Sequence, residues 1–115
     1  MPMPPWRRFG RGTMYKLVVT ELAADDLNGI VRYITIKLAN PAAATAFLDK
    51  VEKCYQTLKE TPLIYVECLA PRLKRKNYRK VAIGNFLLIY RVDVEAGVVV
   101  ILRFFYGRRN YIKYL

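Results

Sequence analysis

Residues 77–111 read NYRKVAIGNFLLIYRVDVEAGVVVILRFFYGRRNY, and this stretch constrains the fold more than any other. Three runs rich in Val, Ile, Leu, Phe and Tyr follow one another: Tyr78 to Ile83, Phe86 to Val92 and Val98 to Phe105. Such residues suit a half-buried pleated surface. Gly84-Asn85 and Glu95-Ala96-Gly97 are short turn signals between the runs. Connections this short leave room only for an antiparallel meander, and the upstream chain is expected to cover one of its faces. Side chains alternate across a strand. Phe86, Leu88, Tyr90 and Val92 therefore share one face, opposite Leu87, Ile89, Arg91 and Asp93. By the same rule Val99, Ile101, Arg103 and Phe105 oppose Val100, Leu102, Phe104 and Tyr106.

The upstream chain supplies the cover. Tyr15 to Val19 reads as a short strand. Thr20 offers a side-chain oxygen as an N-cap, and Asp25 and Asp26 lie in the first turns, where the helix dipole favours acids. Leu27, Ile30, Val31, Ile34 and Leu38 recur at helical spacing. Gly29 inside that stripe costs up to about 1 kcal/mol relative to Ala. Asn40-Pro41 starts a second helix, with Asn as cap and Pro at the first position. Its stripe is Phe47, Leu48, Val51, Cys54, Tyr55 and Leu58, and Thr61-Pro62 ends it. A link of a few residues makes the two helices an antiparallel hairpin. The fold class is α+β in the order β-α-α-β-β-β, a helical hairpin packed on a small twisted antiparallel sheet. Leu63 to Lys76 has no strong period and reads as a mobile loop or an irregular strand edge.

At 115 residues the chain holds one domain and one core. Residues 14–115 are assigned to it, and residues 1–13, MPMPPWRRFGRGT, to a flexible tail ahead of a natural start at Met14. The alternative for the tail is an arm that lays Trp6 and its arginines on nucleic acid. No apolar run approaches the roughly 20 residues that span a bilayer, and the N-terminus lacks the apolar core of a secretory signal. Two cysteines make no disulfide framework, and Cys54 is expected to be a buried thiol. The expected location is the cytoplasm.

The net charge of +11 is unevenly placed. Residues 1–13 hold three arginines and no acid, and residues 14–69 hold six basic and seven acidic residues. Residues 70–115 hold eleven basic residues against Asp93 and Glu95 alone. A cationic surface on a near-neutral scaffold attracts phosphate backbones or acidic proteins. Arg72, Lys74, Arg75, Lys76, Arg91, Arg103 and Arg108 are the candidate nucleic-acid or target contacts. For Arg103, in mid-strand, an ion pair with Asp25, Asp26 or Glu21 is the alternative. For Tyr90 and Tyr106 it is core packing with the hydroxyl satisfied at the rim.

The order of these elements and their residues resembles the RelE/ParE toxin superfamily of bacterial type II toxin–antitoxin systems, which includes plasmid stabilisation toxins. The resemblance covers residues 15–115. It rests on Ala24, Asp26 and Leu27, on Tyr33-Ile34, on Asn40-Pro41-Ala42-Ala43, on Phe47-Leu48, and on Leu58 with Pro62. It continues through Tyr78-Arg79-Lys80-Val81, Gly84-Asn85-Phe86, Ile89-Tyr90-Arg91-Val92 and Ile101-Leu102-Arg103. The terminal Tyr106-Gly107-Arg108-Arg109-Asn110 is similar to the family's His-Gly-Arg-Arg-Asp type of ending. The resemblance implies a small basic toxin wrapped by a cognate acidic antitoxin, without a cofactor or a membrane. RelE-like members enter the ribosome and cleave mRNA, whereas ParE-like members inhibit DNA gyrase. A degenerate member that only binds an antitoxin is a further alternative.

RNA cleavage by the 2′-hydroxyl needs a proton acceptor, charge opposite the phosphorane and a proton donor for the leaving oxygen. The chain has no His, so no side chain has an unperturbed pKa suited to this task. The catalytic candidates are Arg79, Lys80 and Arg109 around the phosphate, with Tyr106 and Tyr111 as proton carriers. Arg109 matches an arginine of the RelE-type site, and Arg79 and Lys80 lie near the strand that carries its lysines. Leu87 stands where many RelE-like chains have an arginine, Tyr106 where many have His, and Asn110 where Asp is usual. Ribosome-dependent mRNA cleavage is the first expectation and gyrase inhibition the second. Two cysteines without His make no standard zinc site, so no metal is expected.

Overall fold

A computed structural model describes residues 14–107 and 111–115. The expected tail, residues 1–13, and Arg108, Arg109 and Asn110 lie outside the described residues. The elements run β1 (Lys16–Val19), α1 (Glu21–Arg32), α2 (Pro41–Glu60), α3 (Pro71–Arg75), β2 (Tyr78–Ile83), β3 (Phe86–Asp93) and β4 (Val98–Tyr106), then a 3-10 turn at Tyr111–Tyr114.

Both helix starts form as their residues dictate. The Thr20 hydroxyl accepts the Ala23 N–H, and Asn40 Oδ1 accepts the Ala43 N–H. Thr20 also donates to the Leu102 carbonyl, which ties the start of α1 to β4. The last turn of the first helix widens to π geometry at Tyr33–Lys37, where the Leu38 N–H reaches the Tyr33 carbonyl. This widening carries Leu38 off the apolar stripe, and its side chain is exposed.

The sheet order is β1-β4-β3-β2. The meander is antiparallel as expected. β1 joins its far edge parallel to β4, with Leu17 opposite Val99 and Val19 opposite Ile101. Gly84 has φ +60°, as the first central residue of a type II′ hairpin requires.

Two cores sandwich this sheet. The main one lies under the helices, where Ala23, Phe47, Val51, Cys54 and Leu58 meet Leu88, Tyr90, Val99, Ile101 and Phe104. The second, on the opposite face, consists of Cys68, Leu73, Ile89 and Phe105, with Tyr78, Leu87, Leu102, Tyr111 and Leu115 around them.

The structure corrects several expectations: the sheet is mixed rather than wholly antiparallel, because β1 runs parallel to β4, and it carries two cores rather than one. Of the two alternatives for Leu63 to Lys76, the irregular strand edge forms around Glu67, which bridges Arg79, and the helix that follows it is unexpected. The segment's backbone pairs with the edge of β2, through Cys68 N–H to Tyr78 O and Lys80 N–H to Val66 O, and then forms α3. Pro71 at the first helical position is the local reason. The alternation assigned to the last strand breaks at Leu102. Ile89 opposes Arg103 while Tyr90 opposes Ile101, so Leu102 is the extra residue of a bulge. Beyond it Phe104 turns to the helix side and Phe105 to the second core.

Candidate functional site

β2 decides where the charge goes. Tyr78 pairs with Arg91, and Lys80 with Ile89, so these four share the face away from α1 and α2. Arg79 pairs with Tyr90 and Val81 with Leu88, on the helix side. The adjacent cations Arg79 and Lys80 therefore serve opposite surfaces.

On the far face several cations lie over aromatic rings. Lys76 Nζ is 5.7 Å from the Tyr78 centroid and Lys80 Nζ 5.9 Å from that of Tyr111. The Arg103 guanidinium is 4.9 Å from the Phe105 centroid, and Lys113 Nζ 5.4 Å from that of Tyr114. Contacts of this kind are worth about 0.5–1 kcal/mol when exposed, so they orient the three lysines without neutralising them. Tyr111 and Tyr114 also pack on Phe105, at 6.1 and 5.8 Å. Arg72 holds the C-terminal turn in place by donating to the Ile112 carbonyl at 2.7 Å. Lys74 and Arg75 are exposed on α3. Beneath them the buried Cys68 thiol is pushed up by desolvation, which nearby Lys80 and a hydrogen bond with Tyr111 partly offset.

Arg79 is engaged elsewhere. Its Nη1 donates to the Tyr65 carbonyl at 2.6 Å and to the Leu63 carbonyl at 3.4 Å, and its Nη2 lies 3.7 Å from Glu67. Tyr90, fully buried, donates to the Pro62 carbonyl at 2.8 Å. Burial pushes its hydroxyl far above the ordinary tyrosine value. Together these two side chains fasten the segment after α2.

Arg103 Nε and Nη2 donate to Asp26 Oδ2 and Oδ1 at 2.7 and 3.1 Å. Asp26 Oδ2 also accepts the Phe104 N–H at 3.0 Å. The bond to Asp26 holds the guanidinium above its ordinary pKa. Of the alternatives weighed for Arg103, the pair with Asp26 is the one that forms. Tyr106 is exposed on the helix side, edge-on to Phe86 at 5.9 Å, beside a cleft of about 590 Å³ bordered by Asp25, Asp26 and Tyr33.

The structure thus brings Lys80 and Tyr111 together and keeps Arg79 and Tyr106 on the other side of the sheet. Arg108 and Arg109 lie outside the described residues. Sequence reasoning missed Tyr78, Phe105, Lys113 and Tyr114 as parts of the cationic face. Alternation from Lys80 could have found Tyr78, whereas the other three depend on the bulge and the C-terminal turn. Among the described residues no helix is long and apolar enough to cross a membrane, and no group of His, Cys, Asp and Glu could hold a metal ion.

A helical hairpin over a four-stranded sheet is the architecture of the ParE/RelE toxin fold. Residues 17–111 match the family model of the ParE toxin of the type II toxin–antitoxin system parDE, and the chain belongs to that family. Solved structures agree in fold. A chain of the chromosomal ParDE system from P. aeruginosa has 20% identity and a TM-score of 0.64, over 82% of this chain and 97% of that one. One from the toxin–antitoxin complex RelBE2 of Mycobacterium tuberculosis has 26% identity and a TM-score of 0.59, over 82% and 92%. One from the archaeal RelE-RelB complex of Pyrococcus horikoshii has 14% identity and a TM-score of 0.56, over 84% and 98%. No curated protein sequence matches the chain significantly.

Proposed function

We propose that this protein is a toxin that acts in the cytoplasm by holding its target rather than by cutting RNA, and that the target is DNA gyrase. The observation that carries this reading is the division of Arg79 from Lys80 by β2. Phosphoryl chemistry needs its cations and proton carriers around one phosphate. Arg79 instead binds the Tyr65 carbonyl, and Tyr106 lies on the helix side. A binding toxin needs only a fixed, charged surface, and the ring-backed cations Lys76, Lys80 and Lys113 supply one. Gyrase is the target that the resemblance implies for ParE-like members, and the family model that matches is that of a ParE toxin.

The same surface suits an acidic antitoxin, since the structural neighbours come from toxin–antitoxin complexes. Ribosome-dependent mRNA cleavage is the second reading, favoured by the closeness of Lys80 and Tyr111. Purified protein, titrated side by side into a gyrase supercoiling assay and a translating extract, separates the two. The expected result is loss of supercoiling with intact transcripts. Unaffected supercoiling with cut mRNA would replace the first reading with the second.

A further inference from the structure

The end of α2 and the β3–β4 turn enclose a groove of about 930 Å³. Its volume is near the top of the roughly 300–1,000 Å³ typical of ligand sites. Pro62, Leu63, Ile64 and Val94 line it, and the last three are 51, 61 and 58% exposed. Val66 and Leu69, further along the same segment, are exposed as well. Such a run of large apolar side chains in water marks a contact surface.

The groove is built before any partner arrives. The Tyr15 N–H donates to Lys59 O at the end of α2, and the Lys16 N–H to Gly97 O in the β3–β4 turn, each at 2.9 Å. The start of β1 thus ties the two walls together. Tyr90 and Arg79 hold the segment between them by binding the carbonyls of Pro62, Leu63 and Tyr65. A surface fixed in this way loses little conformational freedom when it is covered.

The rim has the opposite sign to most of the protein. Lys and Arg outnumber Asp and Glu by 20 to 9, yet the charged side chains that line the groove are Glu60 and Glu95. Glu60 is also the last residue of the 20-residue helix α2, whose C-terminal dipole favours cations. Pro62 has no N–H to offer the Leu58 carbonyl four residues earlier, so this helix end keeps its acceptor character. An acidic segment of the kind that the cationic far face attracts is repelled here, and a basic one is drawn in.

We propose that this groove receives an apolar segment bearing Arg or Lys from another protein. Its apolar side chains cover Leu63, Ile64 and Val94, and its cations meet Glu60, Glu95 and the end of α2. The chain then carries two contact surfaces of opposite sign, the far face for acidic or phosphate-bearing partners and this groove for a basic one.

Fluorescence anisotropy of a labelled peptide of alternating Leu and Arg, titrated with the full chain, tests the assignment. The peptide should bind about tenfold or more tightly than the same peptide with Glu in place of Arg, or with Ser in place of Leu. Ile64→Ser combined with Val94→Ser, and separately Glu60→Gln combined with Glu95→Gln, should each weaken binding by about tenfold or more. Leu48→Ser removes an exposed apolar side chain of α2 outside the groove and should bind like the unaltered chain. All the substituted side chains are exposed, so the fold should be kept, and far-ultraviolet circular dichroism verifies this. Absence of binding would overturn the proposal, as would binding that survives either pair of groove substitutions. Equal or tighter binding of the Glu peptide would give the groove to an acidic partner and overturn it as well. So would a dimer in sedimentation that the Ile64 and Val94 substitutions dissolve, because the occupant would then be a second copy.

Discussion

Arg103 and Asp26, on β4 and α1, form a two-point ion pair at 2.7 and 3.1 Å. The same carboxylate takes the Phe104 N–H at the edge of β4, where no strand continues β1. One aspartate therefore caps the sheet edge, anchors the helix and fixes the arginine that lies over Phe105.

Replacement of Asp26 by Ala should be costly for this reason. It leaves a half-buried guanidinium and a backbone N–H without their acceptor, which amounts to about 1–3 kcal/mol. Urea denaturation of Asp26→Ala measures the loss. A change within error would mean that the pair adds nothing to stability.

Arg79→Ala tests whether that side chain is structural. It removes the bonds to the Tyr65 and Leu63 carbonyls. Amide hydrogen exchange over residues 63–69 should accelerate, while the helices remain protected. An unchanged exchange pattern with lost toxicity would return Arg79 to a role at the target.

Tyr90→Phe keeps the ring and removes the hydroxyl. The buried Pro62 carbonyl then has no donor from Tyr90, a loss of about 1–3 kcal/mol. Thermal unfolding of Tyr90→Phe against the unaltered chain gives the value, and equal midpoints would count against the bond.

Cys54 gives a pH dependence. Burial pushes its thiol from the ordinary 9.0 to about 11. The unfolded chain ionises first, so the fold is favoured fully below pH 9 and loses stability as pH rises from about 9 to about 11. The slope for one such group approaches about 1.4 kcal/mol per pH unit. Tyr55, pushed up to about 12, extends the decline. Denaturant midpoints of the unaltered chain and Cys54→Ala across this range provide the test, and Cys54→Ala should show the shallower fall from pH 9.

The far face should dominate contact with polyanions. Lys80→Ala and Arg91→Ala should each lower the salt needed to elute the protein from heparin more than Lys50→Ala or Lys53→Ala on α2 does. Each lost phosphate-like contact should also reduce the salt slope by about one. Equal effects on both surfaces would show that net charge alone governs binding.

The sequence by itself determined the elements and their ends. Thr20 and Asn40 cap helices, Pro41 starts one, Pro62 follows one, and Gly84 turns a hairpin, because each acts through atoms a few residues away. The helical stripes and the meander were legible for the same reason, and so was the concentration of charge in the C-terminal part. Only the tertiary structure decided that β1 lies parallel to β4, that a bulge at Leu102 sends Phe104 and Phe105 to opposite cores, and that the C-terminal turn completes the cationic face. It also decided that Arg79 meets the segment after α2 while Lys80 meets Tyr111. Those outcomes depend on hydrogen bonds and burial between residues far apart in the chain, where local periodicity carries no information about which surfaces meet.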